Sequence, residues 1–173
     1  MNVMEAIRKR RSVRSYQKKR LSRGQIEEIM EAARLAPSAK NKQDWKFVIV
    51  VDEEIKEKIC EAAYNQKFVK EASAVIAGIS LDKDYVMACG VPSGYVDLAI
   101  AMDHISLAAV EKGIGTCWIG HFKQKEAKEI LGVPDEYEIV ALMAIGYPKK
   151  LLPTVEKNRK SLKEIICYDF FKE

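Results

Sequence analysis

The chain has few of the residues that build metal sites and disulfide frameworks. It contains only two histidines and four cysteines, and no two cysteines form a CxxC pair. Widely spaced cysteines without histidine partners favour neither a structural zinc site nor a disulfide network. We therefore expect no metal and reduced thiols, as in a cytoplasmic protein.

Long apolar runs and a charge of one sign are also missing. The N-terminus is charged and lacks the apolar segment of a secretory signal, and no apolar run reaches the length of a membrane span. The net charge is only +4, from 29 Lys and Arg against 25 Asp and Glu, which is too balanced for a general polyanion binder. We expect a soluble protein with no membrane partner.

Apolar residues, in contrast, are plentiful. They make up 48% of the 173 residues, enough for a single domain over 1–173 with its own core. Their spacing predicts alternating helices and strands, and Ser22 with Gln25 three residues later predicts a capping box at the start of the second helix. We expect strands at 45–51, 74–80, 116–119 and 138–145, and helices at 4–9, 22–36, 53–64, 95–112 and 125–131.

Three of these segments carry further information. The first two strands are nearly all apolar, as in strands covered on both faces. The helix at 95–112 is apolar around most of its circumference, which predicts burial inside the domain or at a subunit interface. The C-terminal segment SLKEIICYDFF is too apolar for a free tail, so we expect it to pack on a partner subunit.

Basic residues crowd near both ends of the chain. Arg10, Arg11, Ser12 and Arg14 form the motif RRSVR, and Arg159 lies near the C-terminus. Guanidinium groups bind phosphate through two parallel hydrogen bonds, so the two sites together suggest an organic phosphate held between them. A solvated charged turn or a nucleic-acid patch would explain RRSVR equally simply.

Two further segments are candidates for contact with a flat ligand. In APSAKNKQDW, Ser38, Asn41 and Gln43 offer donors and acceptors to a planar heterocycle, although the same residues are typical of a loop that ends a helix. In KGIGTCWIGHF the glycines follow a helix and precede a strand, which excludes a Rossmann dinucleotide-binding loop. We expect these glycines to permit close backbone approach, to another strand or to a flat ligand. Cys117 there is expected to be a buried, unreactive thiol, whereas His121 is a candidate proton donor.

The order of these motifs resembles that of the nitroreductase family of flavin-dependent enzymes, in its short single-domain form. RRSVR, APSAKNKQ before a Trp-led strand, GIGTCWIG, GYP, and an Arg before an apolar C-terminal strand follow one another over the whole chain. The resemblance implies an α+β fold with a central, mostly antiparallel sheet flanked by helices. It also implies an intertwined homodimer with FMN at the subunit interface.

The resemblance assigns the FMN-binding residues by motif. Arg10, Arg11 and Ser12 would meet the phosphate and ribityl chain, Arg14 the pyrimidine edge, and Arg159 the phosphate. Pro37, Ser38 and Ala39, with Asn41 beside them, would reach the flavin of the other protomer. Asn65 would meet the polar edge of the ring, and Ile119, Gly120 and His121 would place backbone near its N5 atom.

The implied activity is that of an NAD(P)H oxidoreductase. Hydride would pass from NADH or NADPH through FMN to a nitroaromatic, quinone or similar acceptor in a ping-pong cycle, and the protein itself would supply no nucleophile. One alternative is an FMN-dependent reductase of another specific substrate, dehalogenase-like or flavin-processing. Another is a nucleic-acid-binding module that uses the N-terminal basic residues.

Overall fold

The protein folds around a single four-stranded sheet with helices on both faces. The computed structural model describes residues 1–82, 84–150 and 157–172. The helices are α1 (Val3–Lys9), α2 (Arg23–Arg34), α3 (Glu53–Ala62), α4 (Phe68–Glu71), α5 (Ser93–Glu111) and α6 (Gln124–Leu131). The strands are β1 (Trp45–Val50), β2 (Ala74–Ser80), β3 (Gly115–Ile119) and β4 (Glu138–Gly146), and 3-10 turns span Ala39–Asn41 and Leu162–Glu164.

The sheet has the strand order β1-β2-β4-β3, and all three neighbouring pairs are antiparallel. Val50 pairs with Val75, Val75 with Ala144, and Cys117 with Ala144. The predicted α+β class and antiparallel sheet are therefore confirmed. Because β1 and β3 are the two edges, three strand spacings or about 14 Å separate them.

The sheet separates two apolar cores because successive side chains of a strand point to opposite faces. On one face, Ile76 and Met143 pack with α2 and α5. On the other, Val75 and Leu142 pack with residues of α3, α4 and α6. Every residue of β2 is buried, as its apolar composition predicts.

The helix starts follow from their capping residues. Ser22 accepts a hydrogen bond from the Gln25 backbone, and the Gln25 side chain accepts one from the Ser22 backbone, so the predicted capping box is present. Asn2 and Glu5 form the same arrangement at the start of α1. The second helix ends at Arg34, three residues before the proline at which we expected it to stop.

Three details differ from the sequence-based expectations. β1 is only half-buried in a single chain because it is an edge strand, so the prediction that both its faces are covered is wrong for the isolated protomer. The short helix α4 was not predicted, since four residues are too few for a periodic pattern. The apolar tail contains a 3-10 turn at Leu162–Glu164 rather than a strand.

The long helix α5 is buried against the sheet, as its composition predicts. Leu98, Met102 and Ile105 are fully buried in the core. Tyr95 and Val96 in its first turn remain exposed. No helix in the described ranges has the length and hydropathy needed to cross a membrane.

Candidate functional site

The motif RRSVR lies beside β3, at one edge of the sheet. Ser12 forms a bridge with Thr116, and the backbone N–H of Val13 donates to the carbonyl of Thr116 over 2.9 Å. This pairing holds the residues after α1 in an extended conformation and places Ser12 and Arg14 next to Cys117. The N-terminal motif and the glycine-rich segment are thus one structural unit.

A glycine makes this approach possible. A Cβ atom at Gly115 would lie 2.5 Å from Cγ2 of Val13 and 2.9 Å from its Cβ. Real Cβ atoms do not come that close to other atoms, so a side chain at position 115 would push the two segments apart. The prediction that glycines here permit close backbone approach is confirmed at Gly115.

Cations from the two ends of the chain meet at the C-terminal end of α1. Lys157 donates to the carbonyl oxygen of Ile7, which joins residues 150 positions apart. Partial burial, followed by the positive charges of Arg10, Arg11 and Arg159, lowers the pKa of Lys157, and the negative charge of Asp103 opposes this shift. We call these four residues the cationic cluster. Such a concentration of like charge is a suitable environment for a phosphate.

Ser12 and Arg14 surround the buried thiol of Cys117. Burial raises the pKa of Cys117, while the charge of Arg14, a hydrogen bond with Ser12 and the charge of Arg10 oppose the rise. The thiol is 1% exposed and protonated at neutral pH, which agrees with the prediction that it is unreactive. Arg10, Ser12 and Arg14 therefore all lie near Cys117 in β3.

A second group forms where β3 ends. The amide of Gln66 donates to the carbonyl of His121 over 3.0 Å, and the rings of Tyr64 and His121 stack with their centroids 4.1 Å apart. Asn65 lies between these contacts, and both Tyr64 and Asn65 adopt left-handed backbone conformations. The structure therefore brings Asn65 close to the segment Ile119–Gly120–His121.

The surface at Gly120 is open. A Cβ atom there would meet no other atom within 4 Å, so the backbone at this point is accessible to a flat ligand. His121 is exposed, and no carboxylate of the described residues hydrogen-bonds to its ring. Its ring packs on Tyr64 instead, which leaves its predicted role as proton donor without a supporting contact.

The loop with Pro37, Ser38, Ala39 and Asn41 lies elsewhere in the same chain. The backbone N–H of Ala39 donates to the carboxylate of Asp97 over 3.0 Å, and Ser38 accepts from the Gln43 backbone. The loop leads directly into β1, at the sheet edge opposite β3. No hydrogen bond between described residues joins it to the cationic cluster or to His121.

Lys157 and Tyr64 were not identified from the sequence. Lys157 lies two positions before Arg159 in the segment KNR, and this pair of neighbouring cations is a local signal for it. Tyr64 precedes Asn65 in YNQKF, but its stacking on His121 depends on a contact between residues 57 positions apart, for which the sequence has no local signal. The described part of the chain has no group of three or more His, Cys, Asp or Glu that could hold a metal ion.

Comparisons with known proteins give one consistent result. The family model for the nitroreductase family matches residues 7–88 and 61–147. The chain is 35% identical over 150 residues to a candidate NADH dehydrogenase/NAD(P)H nitroreductase of Archaeoglobus fulgidus, and the alignment covers 84% of this chain and 85% of the relative.

Solved structures agree with this result. The fold is similar to that of a nitroreductase family protein from Clostridium novyi NT, with a TM-score of 0.82, 31% identity, and coverage of 95% of this chain and 98% of the other. It is also similar to an FMN-dependent nitroreductase from Clostridium difficile R20291, with a TM-score of 0.79, 27% identity, and coverage of 97% and 99%. The chain therefore belongs to the nitroreductase family of oxidoreductases.

Proposed function

We propose that the protein is an FMN-dependent NAD(P)H oxidoreductase of the nitroreductase type. The observation that carries the proposal is the cationic cluster, in which Arg10 and Arg11 meet Lys157 and Arg159 from the other end of the chain. The relative from A. fulgidus has an NAD(P)H nitroreductase name, and the C. difficile neighbour is called FMN-dependent. The first name supports the NAD(P)H-dependent activity, and the second supports a flavin phosphate as the anion of this cluster.

The donor set around β3 fits FMN chemically. The cationic cluster matches a phosphate, the Ser12 hydroxyl and the Asn65 amide match polar groups, and the open backbone at Gly120 matches the face of a flat ring. A phosphate among these four cations would relieve the like-charge repulsion that contributes to the lowered pKa of Lys157. The fit involves residues of four separate segments.

Bound FMN would supply the hydride chemistry, and the residues of this chain would bind and orient it. Arg14 would hold a positive charge beside the pyrimidine edge, where negative charge develops on reduction, and would thereby favour the reduced state. Backbone at Gly120 would orient the reacting edge of the ring. The stacked Tyr64 and His121 would border the open ring face, where donor and acceptor would bind in turn.

We further propose that the working form is a homodimer. The loop of Pro37–Asn41 and the segment of Arg10–Arg14 lie at opposite sheet edges of one chain, so contact of both with one flavin requires the loop of a second protomer. Exposed apolar side chains support the same conclusion. Tyr168, Phe170 and Phe171 are 83%, 78% and 84% exposed, and Val3 and Met4 of α1 are also exposed.

The second half-reaction requires an electron acceptor that fits the open ring face. Nitroaromatics and quinones are planar and electron-poor, so they suit an open ring face bordered by the Tyr64–His121 pair. A reductase of another substrate, dehalogenase-like or flavin-processing, would use the same FMN site. A nucleic-acid-binding role for the N-terminal basic residues has less support, because the chain belongs to a family of oxidoreductases.

Cofactor content and reduction test the proposal together. The purified protein is expected to contain about one FMN per chain and to lose its yellow absorbance when NADH or NADPH is added without oxygen. Reoxidation by a quinone should follow with ping-pong kinetics. A colourless protein that does not take up added FMN would contradict the proposal, whereas reduction without turnover of quinones or nitroaromatics would favour a specialised reductase.

A further inference from the structure

A strip of positive charge continues from RRSVR along a short two-stranded ribbon. The backbone N–H of Gln17 donates to the carbonyl of Tyr147 over 2.9 Å, and that of Lys149 donates to the carbonyl of Ser15 over 3.0 Å. Tyr16 and Pro148 form the antiparallel bridge between them. Two segments that are distant in sequence thus lie side by side.

The ribbon presents only basic charges to solvent. Neither 10–20 nor 145–150 contains an Asp or Glu. We call its exposed cations the basic ribbon: Arg14, Lys18, Lys19, Lys149 and Lys150. Among the described residues none of the five forms an ion pair, and the ammonium of Lys19 lies 4.3 Å from the centre of the Tyr147 ring.

Other parts of the surface carry mixed charge. Arg34 pairs with Glu31, Lys70 with Glu57, and Lys123 with Glu126, so each of these cations is neutralised by a nearby carboxylate. Mixed charge of that kind has a weak field at a distance, whereas charges of one sign on a narrow strip add up and attract anions. The basic ribbon is therefore a distinct feature of the surface.

We propose that the basic ribbon is the docking surface for the phosphate groups of the reduced pyridine nucleotide. This inference rests on the proposed function. The ribbon begins at Arg14, beside the proposed flavin ring. Lys149 lies next to Ser15, and Lys18 and Lys19 follow further along the ribbon, away from Arg14. A nucleotide whose nicotinamide reacts at the ring must direct its phosphates away from it, and the FMN phosphate is assigned to a different group, the cationic cluster.

The dimensions of the ribbon also suit a small ligand. Five or six extended residues span about 16 to 20 Å, and only five cations are available. An organic diphosphate with a few negative charges matches this length and this number of cations.

The test compares donors with and without phosphate. The double variant Lys149→Gln/Lys150→Gln removes two ribbon charges, and Lys58→Gln/Lys125→Gln removes two exposed charges on α3 and α6 as a matched control. FMN-saturated proteins are mixed without oxygen with NADH, NADPH or 1-benzyl-1,4-dihydronicotinamide, which carries the same reacting ring but no phosphate. The rate of flavin bleaching is recorded against donor concentration.

We expect the ribbon variant to raise the apparent Kd of NADH or NADPH about five- to tenfold, with the control unchanged. Bleaching by the benzyl donor should be equal in all three proteins. Between about 0.01 M and 0.15 M salt the screening length falls from about 30 to 8 Å, so the wild-type affinity for NAD(P)H should drop more than that of the ribbon variant. Calorimetric titration of the oxidised protein with NAD+ or NADP+ measures the same contribution without turnover.

Two results would overturn the inference. If the ribbon variant and the control bound NAD(P)H with equal affinity, and NAD(P)+ likewise, the ribbon would not bind the nucleotide phosphates. An equal loss with the benzyl donor would mean that the lysines act on the flavin rather than on the nucleotide. Failure of every donor to bleach the wild type would instead contradict the proposed function, and the NAD(P)+ titration would still decide the role of the ribbon.

Discussion

At the scale of single residues, the phosphate site that we propose is a group of cations at the C-terminal end of α1. Arg10 and Arg11 follow α1 directly, and Lys157 donates to a carbonyl of the same helix. Burial and the repulsion of the other three cations lower the pKa of Lys157, against the opposing charge of Asp103. We propose that the cluster binds a phosphate, and we expect it to contribute most of the affinity for FMN.

Replacing one cation of the cluster tests this role. Arg159→Ala should raise the Kd of FMN at least tenfold, because a charge-assisted pair with phosphate is lost. The free energy of unfolding of the apoprotein should change little, since the Arg159 side chain is exposed. Flavin fluorescence titration measures the first quantity and urea unfolding the second.

Lys160→Ala is the matched control, because Lys160 is an exposed cation one position away. Equal FMN affinities in Arg159→Ala, Lys160→Ala and the wild type would show that the phosphate has been placed wrongly.

At the scale of elements, β3 organises the site. Its first residues pair with RRSVR, and its end leads to Gly120 and His121, which contact the segment after α3. One five-residue strand thus determines the distance between the cationic cluster and the proposed ring-binding residues. Gly115 is the point at which the pairing is closest.

Gly115→Ala should disturb this pairing. The new Cβ would overlap the Val13 side chain, so we expect a loss of about 1 to 3 kcal/mol in the free energy of unfolding and weaker FMN binding. Adding Val13→Ala should restore part of the stability and part of the FMN affinity, because it removes Cγ2 of Val13, the atom 2.5 Å from the new Cβ. Gly24→Ala is the control, since a Cβ there meets nothing within 4 Å. Full stability and FMN affinity in Gly115→Ala would contradict the close approach.

Asp82 connects three other elements. Its carboxylate accepts hydrogen bonds from the Tyr85 backbone, the Ser93 hydroxyl at the start of α5 and the Lys42 ammonium in the loop before β1. Burial opposes ionisation, but these donors lower the pKa of Asp82 overall. The carboxylate therefore helps to hold the loop that we propose reaches the other flavin.

The lowered pKa of Asp82 predicts an acid-sensitive contribution to stability. A carboxyl group whose pKa is lower in the folded state stabilises the fold above its unfolded pKa of about 3.9 and loses that contribution as the pH falls through the folded value. Asp82→Asn should cost about 1 to 2 kcal/mol at pH 7, and the difference from wild type should shrink below about pH 4.

Urea unfolding at pH 7 and pH 3.5 measures the Asp82 contribution. Asp84→Asn, an exposed neighbour, should have no such effect. A pH-independent difference between Asp82→Asn and wild type would show that the charge of Asp82 is not what stabilises this loop.

Local sequence patterns predicted most of the helices and strands. The features that they did not predict depend on contacts between residues far apart in the sequence. The apolar run at Ala74–Ser80 identified β2, and Ser22 with Gln25 identified the start of α2. The bridge between Ser12 and Thr116 joins residues about one hundred positions apart, so no local pattern reveals it. The left-handed Tyr64 and Asn65 likewise depend on contacts formed only after folding.

For the site, the motifs identified Arg10, Arg11, Ser12, Arg14 and Arg159, which the structure brings together, and Asn65 beside His121. The structure adds Lys157. The proposed homodimer would account for the position of residues 37–41 at the opposite sheet edge, because the loop of one chain would then reach the flavin of the other.

At the scale of the whole molecule, the two ends of the chain expose apolar side chains. Three tail aromatics are more than three-quarters exposed, and α1 exposes Val3 and Met4. Large exposed apolar groups normally mark an interface. We therefore propose that a second protomer forms part of the functional site.

Truncation after Lys160 tests the role of the tail. The shortened protein should be mainly monomeric and should lose FMN, because each flavin would then lack the loop of the other protomer. Sedimentation and FMN content measure the two effects. The variant Tyr168→Ala, which keeps the tail, should weaken the dimer less. A truncated protein that remains dimeric and fully loaded with FMN would contradict the proposed role of the tail.

The most direct test of the account is the flavin stoichiometry of the native dimer combined with its response to NAD(P)H. We predict a homodimer with two FMN molecules that is bleached by NADH or NADPH in the absence of oxygen and recovers its colour when a quinone is added. A protein that remains colourless with excess FMN, or a monomer that binds FMN with full affinity, would contradict the central claim that two chains together form a flavin site.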